Sequence, residues 1–469
     1  MNKGTTQCPK SQPRSQPWDL FKISLVKAIV KSRFFPGVIQ TVNLVLFLAL
    51  IYFGFFGVSE ASRYTNLASF LIWIIWWPSL VFTALLAARF WCTVCPLRLI
   101  TQQLDSLGWQ VRVPPVIKKY RFTLAIGLFL IHSIVISYKI DQSGKLSAIY
   151  MAVLLATAVF TALIFELDSF CKVICPLNGF IGTYAKISPT ELRVIELAVC
   201  KGCRTHNCLK NCPNDLHMAA VKSNESCLLC FECVKHCPHD NIRFSLRQPL
   251  QDLWNPRGAS LTNLLIITIL LGIIIQEVGE EWETVAKVIT FPATFLSQFG
   301  IPNTIFGYLW IESVWVNFML PASIILLTAS LIRIITRQGN VIHYARIYAA
   351  GFVPLIFSLH LSKMWHNFNS KFGYSQYLTD DPYGNTTAAQ LAANLVQAPA
   401  PLVMSKTVEG FFLVGLVILG LLASIYVIRQ IAKTYAGRSM GNRSALAFAF
   451  TTACCGAVFL STIAHWFKP

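Results

Sequence analysis

Charged residues are scarce in this sequence: Asp, Glu, Lys and Arg make up 13% of its 469 residues. Soluble domains contain about 25% charged residues, so a large soluble body is excluded. Acidic residues are the scarcer kind, with 21 Asp and Glu against 39 Lys and Arg. The chain is polar as far as Asp19 and has no apolar core near Met1, so we expect no cleavable signal peptide. It also contains no hydrolytic motif.

The sequence contains many long apolar stretches. Most of them reach the roughly 20 residues that a helix needs to cross a bilayer. They lie at about 37–57, 67–88, 122–138, 146–165, 258–276, 313–332, 347–362, 410–428 and 444–467. A further stretch, 288–311, is interrupted by Pro and Gly and is expected to be re-entrant or interfacial. The sequence therefore predicts an all-α integral membrane protein with about nine transmembrane helices surrounded by lipid.

The basic residues are concentrated in alternate loops. Of the 39 Lys and Arg, 31 lie in the segments 1–36, 89–121, 168–257, 333–346 and 429–443. The positive-inside rule then predicts an N-terminus inside and a C-terminus outside, in the inner membrane of a prokaryote. Because topology explains most of the net charge of +18, we expect no nucleic-acid partner.

A cysteine motif occurs twice, about 80 residues apart. The second apolar stretch ends in Phe90-Trp91-Cys92-Thr93-Val94-Cys95-Pro96-Leu97, and the fourth ends in Phe170-Cys171-Lys172-Val173-Ile174-Cys175-Pro176-Leu177. Both helices run inward, so each delivers a cysteine pair to the cytoplasmic surface. Cys92, Cys95, Cys171 and Cys175 could hold a third cluster or another metal, act as redox dithiols, or pack as small apolar residues.

Two further cysteine runs lie in the cytoplasmic segment 168–257. The second run, Cys227, Cys230, Cys233 and Cys237 before Pro238, has the C-x2-C-x2-C-x3-C-P spacing of bacterial ferredoxins. The first run, Cys200, Cys203, Cys208 and Cys212 before Pro213, has two extra residues in its middle. This spacing predicts two 4Fe-4S clusters. A disulfide framework does not suit a reducing compartment, and zinc knuckles rarely contain the extra cysteines.

In two-cluster ferredoxins the fourth cysteine of each run binds the other cluster. We therefore expect one cluster to be bound by Cys200, Cys203, Cys208 and Cys237, and the other by Cys227, Cys230, Cys233 and Cys212.

The predicted organisation has four parts. A cytoplasmic N-terminal segment, 1–36, precedes a four-helix membrane domain, 37–185, with the two Cys-Pro motifs at its cytoplasmic face. An inserted two-cluster ferredoxin-like domain follows at 186–257. A C-terminal membrane domain of about five helices, 258–469, includes an outer loop at 363–409.

The paired Cys-Pro motifs followed by a double ferredoxin run resemble the polyferredoxin-type membrane iron–sulfur proteins. These include the quinol-dehydrogenase membrane component of periplasmic nitrate reductase, the nitrous-oxide-reductase regulator and the methylamine-utilisation ferredoxin. The resemblance covers about residues 37–257. Family members have C-x3-C-P at both helix ends; Cys171 and Cys175 match this, whereas Cys92 and Cys95 are one residue closer together. The resemblance implies that electrons pass between the quinone pool or a cytoplasmic donor and a periplasmic metalloenzyme.

Histidines are the informative polar residues of the C-terminal half, since ionisable groups within a membrane usually have a function. His360 and His465 are expected near the outer ends of two different helices. At the same depth they could bind a b-type haem or a quinol. Alternatively, each bonds to a neighbouring helix.

These features favour an electron-transfer component of an oxidoreductase system rather than a stand-alone enzyme. It would link the quinone pool or a cytoplasmic donor to a redox partner in the membrane or the periplasm. One alternative is a redox maturation factor for a periplasmic or membrane metalloenzyme, in which the Cys-Pro thiols would be central. Another is a redox sensor, although the sequence contains no output domain.

Overall fold

The computed structural model describes residues 18–57, 63–166, 168–254, 259–280, 282–299, 307–337, 339–397, 399–401, 403–435 and 437–466. Within these ranges, side chains are described except at 63, 118–120, 307–309, 435, 437–443, 465 and 466.

Eight helices of the described chain are long and apolar enough to cross a membrane, and a ninth apolar helix is shorter. In chain order they are α1 Gly37–Phe55, α2 Leu67–Ala87, α3 Phe122–Ser137, α4 Gly144–Ile164, α5 Leu261–Gly279, α6 Trp310–Thr336, α7 Val341–Tyr377, α8 Lys406–Thr434 and α9 Ser444–Ala464. Each overlaps one predicted apolar stretch, and α3 is the short one. A predominantly α-helical membrane protein is therefore confirmed, while nine spans stays a prediction.

Three of these helices are not regular throughout. π-helical turns occupy Phe70–Trp76 in α2 and Trp315–Met319 in α6. The segment α7 joins the helices Val341–Tyr348 and Val353–Lys371 through a 3₁₀ turn and ends in a second one at Phe372–Tyr377.

The length of α7 corrects the predicted depth of His360 in the membrane. The apolar stretch 347–362 placed His360 near the outer end of its helix. Polar residues follow it, but the helix continues through them, so His360 lies near the middle of α7.

Shorter helices connect the long ones. They are Ser24–Lys31, Phe90–Thr93, Pro96–Leu104, Pro115–Tyr120, Pro176–Tyr184, Leu197–Gly202, Asn207–Lys210, Glu232–Lys235, Glu283–Ile289, Phe291–Gln298 and Asn385–Ala392. Two of them, Glu283–Ile289 and Phe291–Gln298, cover part of the stretch expected to be re-entrant or interfacial. Residues 300–306 of that stretch lie outside the described part of the chain.

The cysteine-rich segment is built around a two-stranded antiparallel sheet, β1 Thr190–Val194 and β2 Ile242–Leu246. The N-terminal segment packs onto it: the amide of Leu246 donates to the carbonyl of Trp18 at 2.9 Å. The ring of Phe35 lies 6.0 Å from that of Phe231 in this core. Residues 18–36 thus contribute to the domain that carries the cysteine runs.

The two membrane segments share one hydrophobic core. It contains buried residues from both sides of the cysteine-rich insertion, among them Leu80, Leu124, Phe180, Leu270, Phe352 and Phe448. At one end of the helices, which we call the near side, the hydroxyl of Ser188 donates to the carbonyl of Leu86 at 3.1 Å. At the opposite end, the far side, the amide of Leu67 donates to the carbonyl of Pro382 at 3.0 Å. The cysteine-rich domain therefore lies on the near side and the loop around 382 on the far side.

Candidate functional site

The cysteines of the two runs are brought together in two groups. A pocket is lined by Cys200, Cys203, Cys208 and Cys237. Asn241 joins the ends of this group: its side-chain amide donates to the Cys200 sulfur at 3.3 Å, and its backbone amide to the Cys237 sulfur at 3.4 Å. The fourth cysteine of the second run thus lies beside the first three of the first run.

The second group lies deeper in the domain. Cys227, Cys230 and Cys233 are buried. Cys212, the fourth cysteine of the first run, lies close enough for its charge to act on Cys230 and Cys233. Burial raises the pKa of Cys230 to about 12. A thiolate forms at such a position only when a positive charge compensates it, which is what bound iron would provide.

Each of the two groups contains four cysteines, which is the donor set that binds a 4Fe-4S cluster in ferredoxins. Within the described residues, no three His, Cys, Asp or Glu side chains are arranged to hold one metal ion. A 4Fe-4S cluster is bound differently, because four cysteine thiolates share a larger iron–sulfur unit. The two predicted sets of cluster ligands therefore stay predictions.

The Cys-Pro motifs of the two repeats meet at the near side of the membrane helices. Cys95, Cys171 and Cys175 pack around the same apolar cluster, with Leu97 and Phe170 at its centre. Cys92 lies close enough to Cys175 for their charges to interact. Two hairpins 80 residues apart in sequence therefore contribute all four thiols to one place.

Burial affects the protonation of two of these thiols. It raises the pKa of Cys95 to about 11 and that of Cys175 to about 12. Without a bound metal, such thiols stay protonated at neutral pH. The metal-bound, redox-dithiol and packed interpretations of the four cysteines all stay predictions.

Two buried arginines lie between this thiol site and the deeper ferredoxin group. Arg89 donates to the carbonyl of Glu225 at 2.6 Å and to the sulfur of Cys92 at 3.8 Å. Arg98 is 3% exposed, lies 4.0 Å from Asp168, and is close enough to Cys171 and Cys230 to act on both.

Each arginine also has one buried nitrogen without a hydrogen-bond partner, Nε of Arg89 and Nη1 of Arg98. Such groups are costly to bury, so a negative acceptor is expected beside them. A thiolate-bound cluster on either side would be such an acceptor.

Sequence reasoning missed both arginines. The signal was present, since each lies three residues from a motif cysteine in an otherwise apolar stretch. Charge at the edge of a span was interpreted only as a topology marker, and its burial depends on how the cysteine-rich domain covers the helix ends.

His360 is buried, but the structure does not test its pairing with His465. Its Nδ1 lies 3.0 Å from the hydroxyl of Tyr184, and its Nε2 has no partner. The rings of Trp77 and Phe180 lie 6.0 Å and 5.4 Å away. The side chain of His465 lies outside the described residues, so a haem or quinol site formed by this pair stays a prediction.

Comparisons with known proteins give two partial similarities. The chain is 28% identical over 127 residues to the "Putative electron transport protein YccM" of Escherichia coli K12, which covers 26% of this chain and 34% of that protein. It is 31% identical over 102 residues to the "Uncharacterized protein MJ0749" of Methanocaldococcus jannaschii, which covers 22% of this chain and 40% of that protein.

No family model matches the chain, and no solved structure matches it. The match spans less than half the length of either relative. Over about a quarter of its length, this multi-pass membrane protein is thus similar to a protein named for electron transport.

Proposed function

We propose that this protein is a membrane-bound iron–sulfur electron-transfer component that links the quinone pool, or a near-side donor, to a redox partner. The observation that carries the proposal is the grouping of the eight ferredoxin-run cysteines, in which Cys237 and Cys212 each lie with the other run. That crossed arrangement is typical of proteins with two 4Fe-4S clusters. Bound there, the clusters would accept and donate single electrons.

The protein's own residues would do three things for this chemistry. The pocket around Cys200 and Cys237 gives one thiolate set access to solvent and hence to a soluble donor or acceptor. The deeper set around Cys230 is shielded from water, which limits side reactions. Arg98 lies between that set and Cys171, so its charge stabilises negative charge on both sides.

The Cys-Pro thiols extend the cysteine-lined region to the edge of the membrane. Cys92, Cys95, Cys171 and Cys175 would hold a further cluster or metal there. The same proposal places the protein in the inner membrane, with the near side in the cytoplasm and a partner in the periplasm. The distribution of basic residues supports this orientation.

The test is an iron count and an EPR titration of the purified protein. Two clusters require about eight irons per chain, and a third cluster at the Cys-Pro thiols would raise this toward twelve. C237S should mainly disturb the cluster of the first run, and C212S that of the second, each leaving the other EPR signal in place. A protein that contains zinc without iron would contradict the proposal.

A second candidate, a maturation factor that reduces a metal centre of another enzyme, is favoured by the meeting of the four Cys-Pro thiols. Replacing Cys92 and Cys171 by Ser separates the two candidates. If quinol-linked cluster reduction survives while the partner enzyme lacks its metal, maturation is the better interpretation.

A further inference from the structure

Buried polar side chains form a group in the interior of the membrane helices. His132 on α3 lies 3.3 Å from the amide oxygen of Gln276 on α5. Asn317 on α6 donates to the same oxygen at 3.0 Å. The hydroxyl of Tyr184, at the end of the short helix Pro176–Tyr184, lies 3.0 Å from Nδ1 of His360 on α7. Five elements of the membrane core thus contribute polar groups to one region.

Several atoms of this group have no hydrogen-bond partner among the residues that the structure describes. They are Oε2 of Glu277, Oδ1 of Asn317 and Nε2 of His360. The hydroxyl groups of Ser133 and Ser137 on α3 also have no partner among the described residues. Asn317 is fully buried and His360 is 1% exposed. Each unsatisfied buried group costs about 1–3 kcal/mol, and lipid offers no replacement. Polar groups of this kind are normally satisfied by buried water.

The polar group continues from the middle of the helices to the far side. Glu277 lies close enough to Tyr184 for their charges to interact, and also to Lys363 on α7. It is two residues from the far-side end of α5 at Gly279. Glu280 and Asp141, which act on the same carboxylate, lie just beyond that end. Ionisable groups therefore line the region from the far-side surface to His360.

We propose that the far half of the membrane domain contains a proton-transfer path from far-side water through Glu277 to His360. Ionisable residues within a membrane are expensive, and chains of Asp, Glu and His mark proton relays. The inference depends on the proposed electron-transfer function in one respect: that function supplies the reaction that uses the protons. The residues themselves are sufficient to carry protons whichever way electrons flow.

The geometry at His360 suits a relay. If Tyr184 donates its hydroxyl proton to Nδ1, then Nε2 carries a proton without an acceptor. If Nδ1 carries the proton instead, Nε2 is a lone pair without a donor. In either tautomer Nδ1 is engaged by Tyr184, and Nε2 has no hydrogen-bond partner among the described residues. A proton gained at Nε2 and lost from Nδ1 moves across the ring.

A quinol would be the natural user of this path. Its oxidation breaks two O–H bonds and releases two protons together with two electrons, which two one-electron centres accept. The cysteine sets lie at the near side and the polar group opens toward the far side. Electrons and protons would then leave a site in the middle of the membrane in opposite directions.

The first test needs no redox cofactor. The full-length protein in phospholipid vesicles is taken through a pH titration, and its infrared difference spectrum is recorded in water and in D₂O. We expect a carboxylic-acid carbonyl band that titrates, shifts in D₂O and is lost in E277Q. H360F should keep this band, because the substitution leaves the Glu277 carboxyl group in place.

The matched control is T268V on the same helix. Thr268 is also buried, but its hydroxyl donates to the carbonyl of Leu264 one turn back and takes no part in the polar group. T268V should keep the band unchanged, so a loss seen only in E277Q is not a general effect of altering α5. A spectrum of E277Q identical to that of the wild type would overturn the proposal.

The second test uses the loaded protein and duroquinol as the quinol. E277Q and H360F should slow quinol-driven bleaching of the cluster absorption at least tenfold and leave bleaching by dithionite unchanged, because dithionite supplies electrons without protons. Equal rates in the variants and the wild type would refute the path. Wild-type protein that lacks clusters, or that duroquinol cannot reduce, would instead contradict the proposed function, while the titrating band would still support the path.

Discussion

Arg98 is the residue on which the charge balance of the near side depends. It is 3% exposed and lies between Asp168, Cys171 and Cys230. In R98Q, Asp168 loses its counter-charge while buried, which costs about 3–5 kcal/mol. A cluster bound by the deeper cysteines would also lose a nearby cation. Because reduction adds negative charge, its midpoint potential should fall, by about 40 mV for each 1 kcal/mol of lost attraction.

A redox titration followed by EPR measures this shift. R98K keeps the charge and should recover most of the potential, although Lys cannot reproduce the planar fork of donors. R204Q is the control, since Arg204 is an exposed cation of the first run and is screened by water. A shift in R204Q as large as that in R98Q would show that burial is not the cause.

Glu277 shows the limit of prediction at this scale. The fifth apolar stretch was ended at residue 276 because an acidic residue follows it. The structure continues α5 to Gly279, so the carboxylate lies inside the helix. Hydropathy treats such a residue as a boundary, whereas only the packing of α5 against its neighbours shows that the charge is enclosed.

At the scale of elements, the short helix Phe90–Thr93 connects the membrane helices to the cysteine-rich domain. Thr93 is fully buried, and its hydroxyl donates to the carbonyl of Leu228 at 2.6 Å, inside the second cysteine run. T93V should leave that carbonyl unsatisfied and cost about 1–3 kcal/mol of stability. We expect the cluster absorption to be lost at a lower temperature in detergent.

T161V is the matched change on α4. Thr161 is similarly buried, but its hydroxyl donates only within its own helix, to the carbonyls of Thr157 and Ala158. Its effect on cluster loss should therefore be small. An equal decrease in both variants would mean that the contact with Leu228 does not hold the two parts together.

The boundaries of the elements were predicted unevenly. Strongly apolar helices such as α1 and α4 agree with the predicted stretches to within two residues, because apolar composition and bilayer thickness determine them together. The helix α7 was predicted too short, since its last turns contain polar residues such as Asn369 that bond to the far-side loop. Tertiary contacts, not hydropathy, stabilise those turns.

At the scale of the whole molecule, the arrangement of helices makes a prediction about sidedness. If the chain crosses the membrane nine times with its N-terminus inside, the α6–α7 connection lies inside and the loop after α7 lies outside. Green fluorescent protein fused after Gly339 should fluoresce in cells, and alkaline phosphatase fused after Gln397 should be active, since each reporter works on one side only. Phosphatase that is inactive after Gln397 and active after Gly339 would show that the orientation is the opposite one.

The sequence by itself determined the class of protein and the positions of its cysteine motifs. Apolar runs longer than a bilayer is thick leave few alternatives to membrane helices, and cysteine spacing restricts the metals that a loop can bind. These are local properties, carried by neighbouring residues. The eight ferredoxin-run cysteines and the repeat of the Cys-Pro motif were visible for that reason.

Only the tertiary structure decided how these local features meet. It placed Cys237 beside Cys200, brought the two Cys-Pro pairs together, and enclosed Arg89 and Arg98 between them and the deeper cysteines. It also enclosed Glu277 and His360 within the membrane helices. Burial and contact between distant segments arise when helices pack, so no window of sequence contains them.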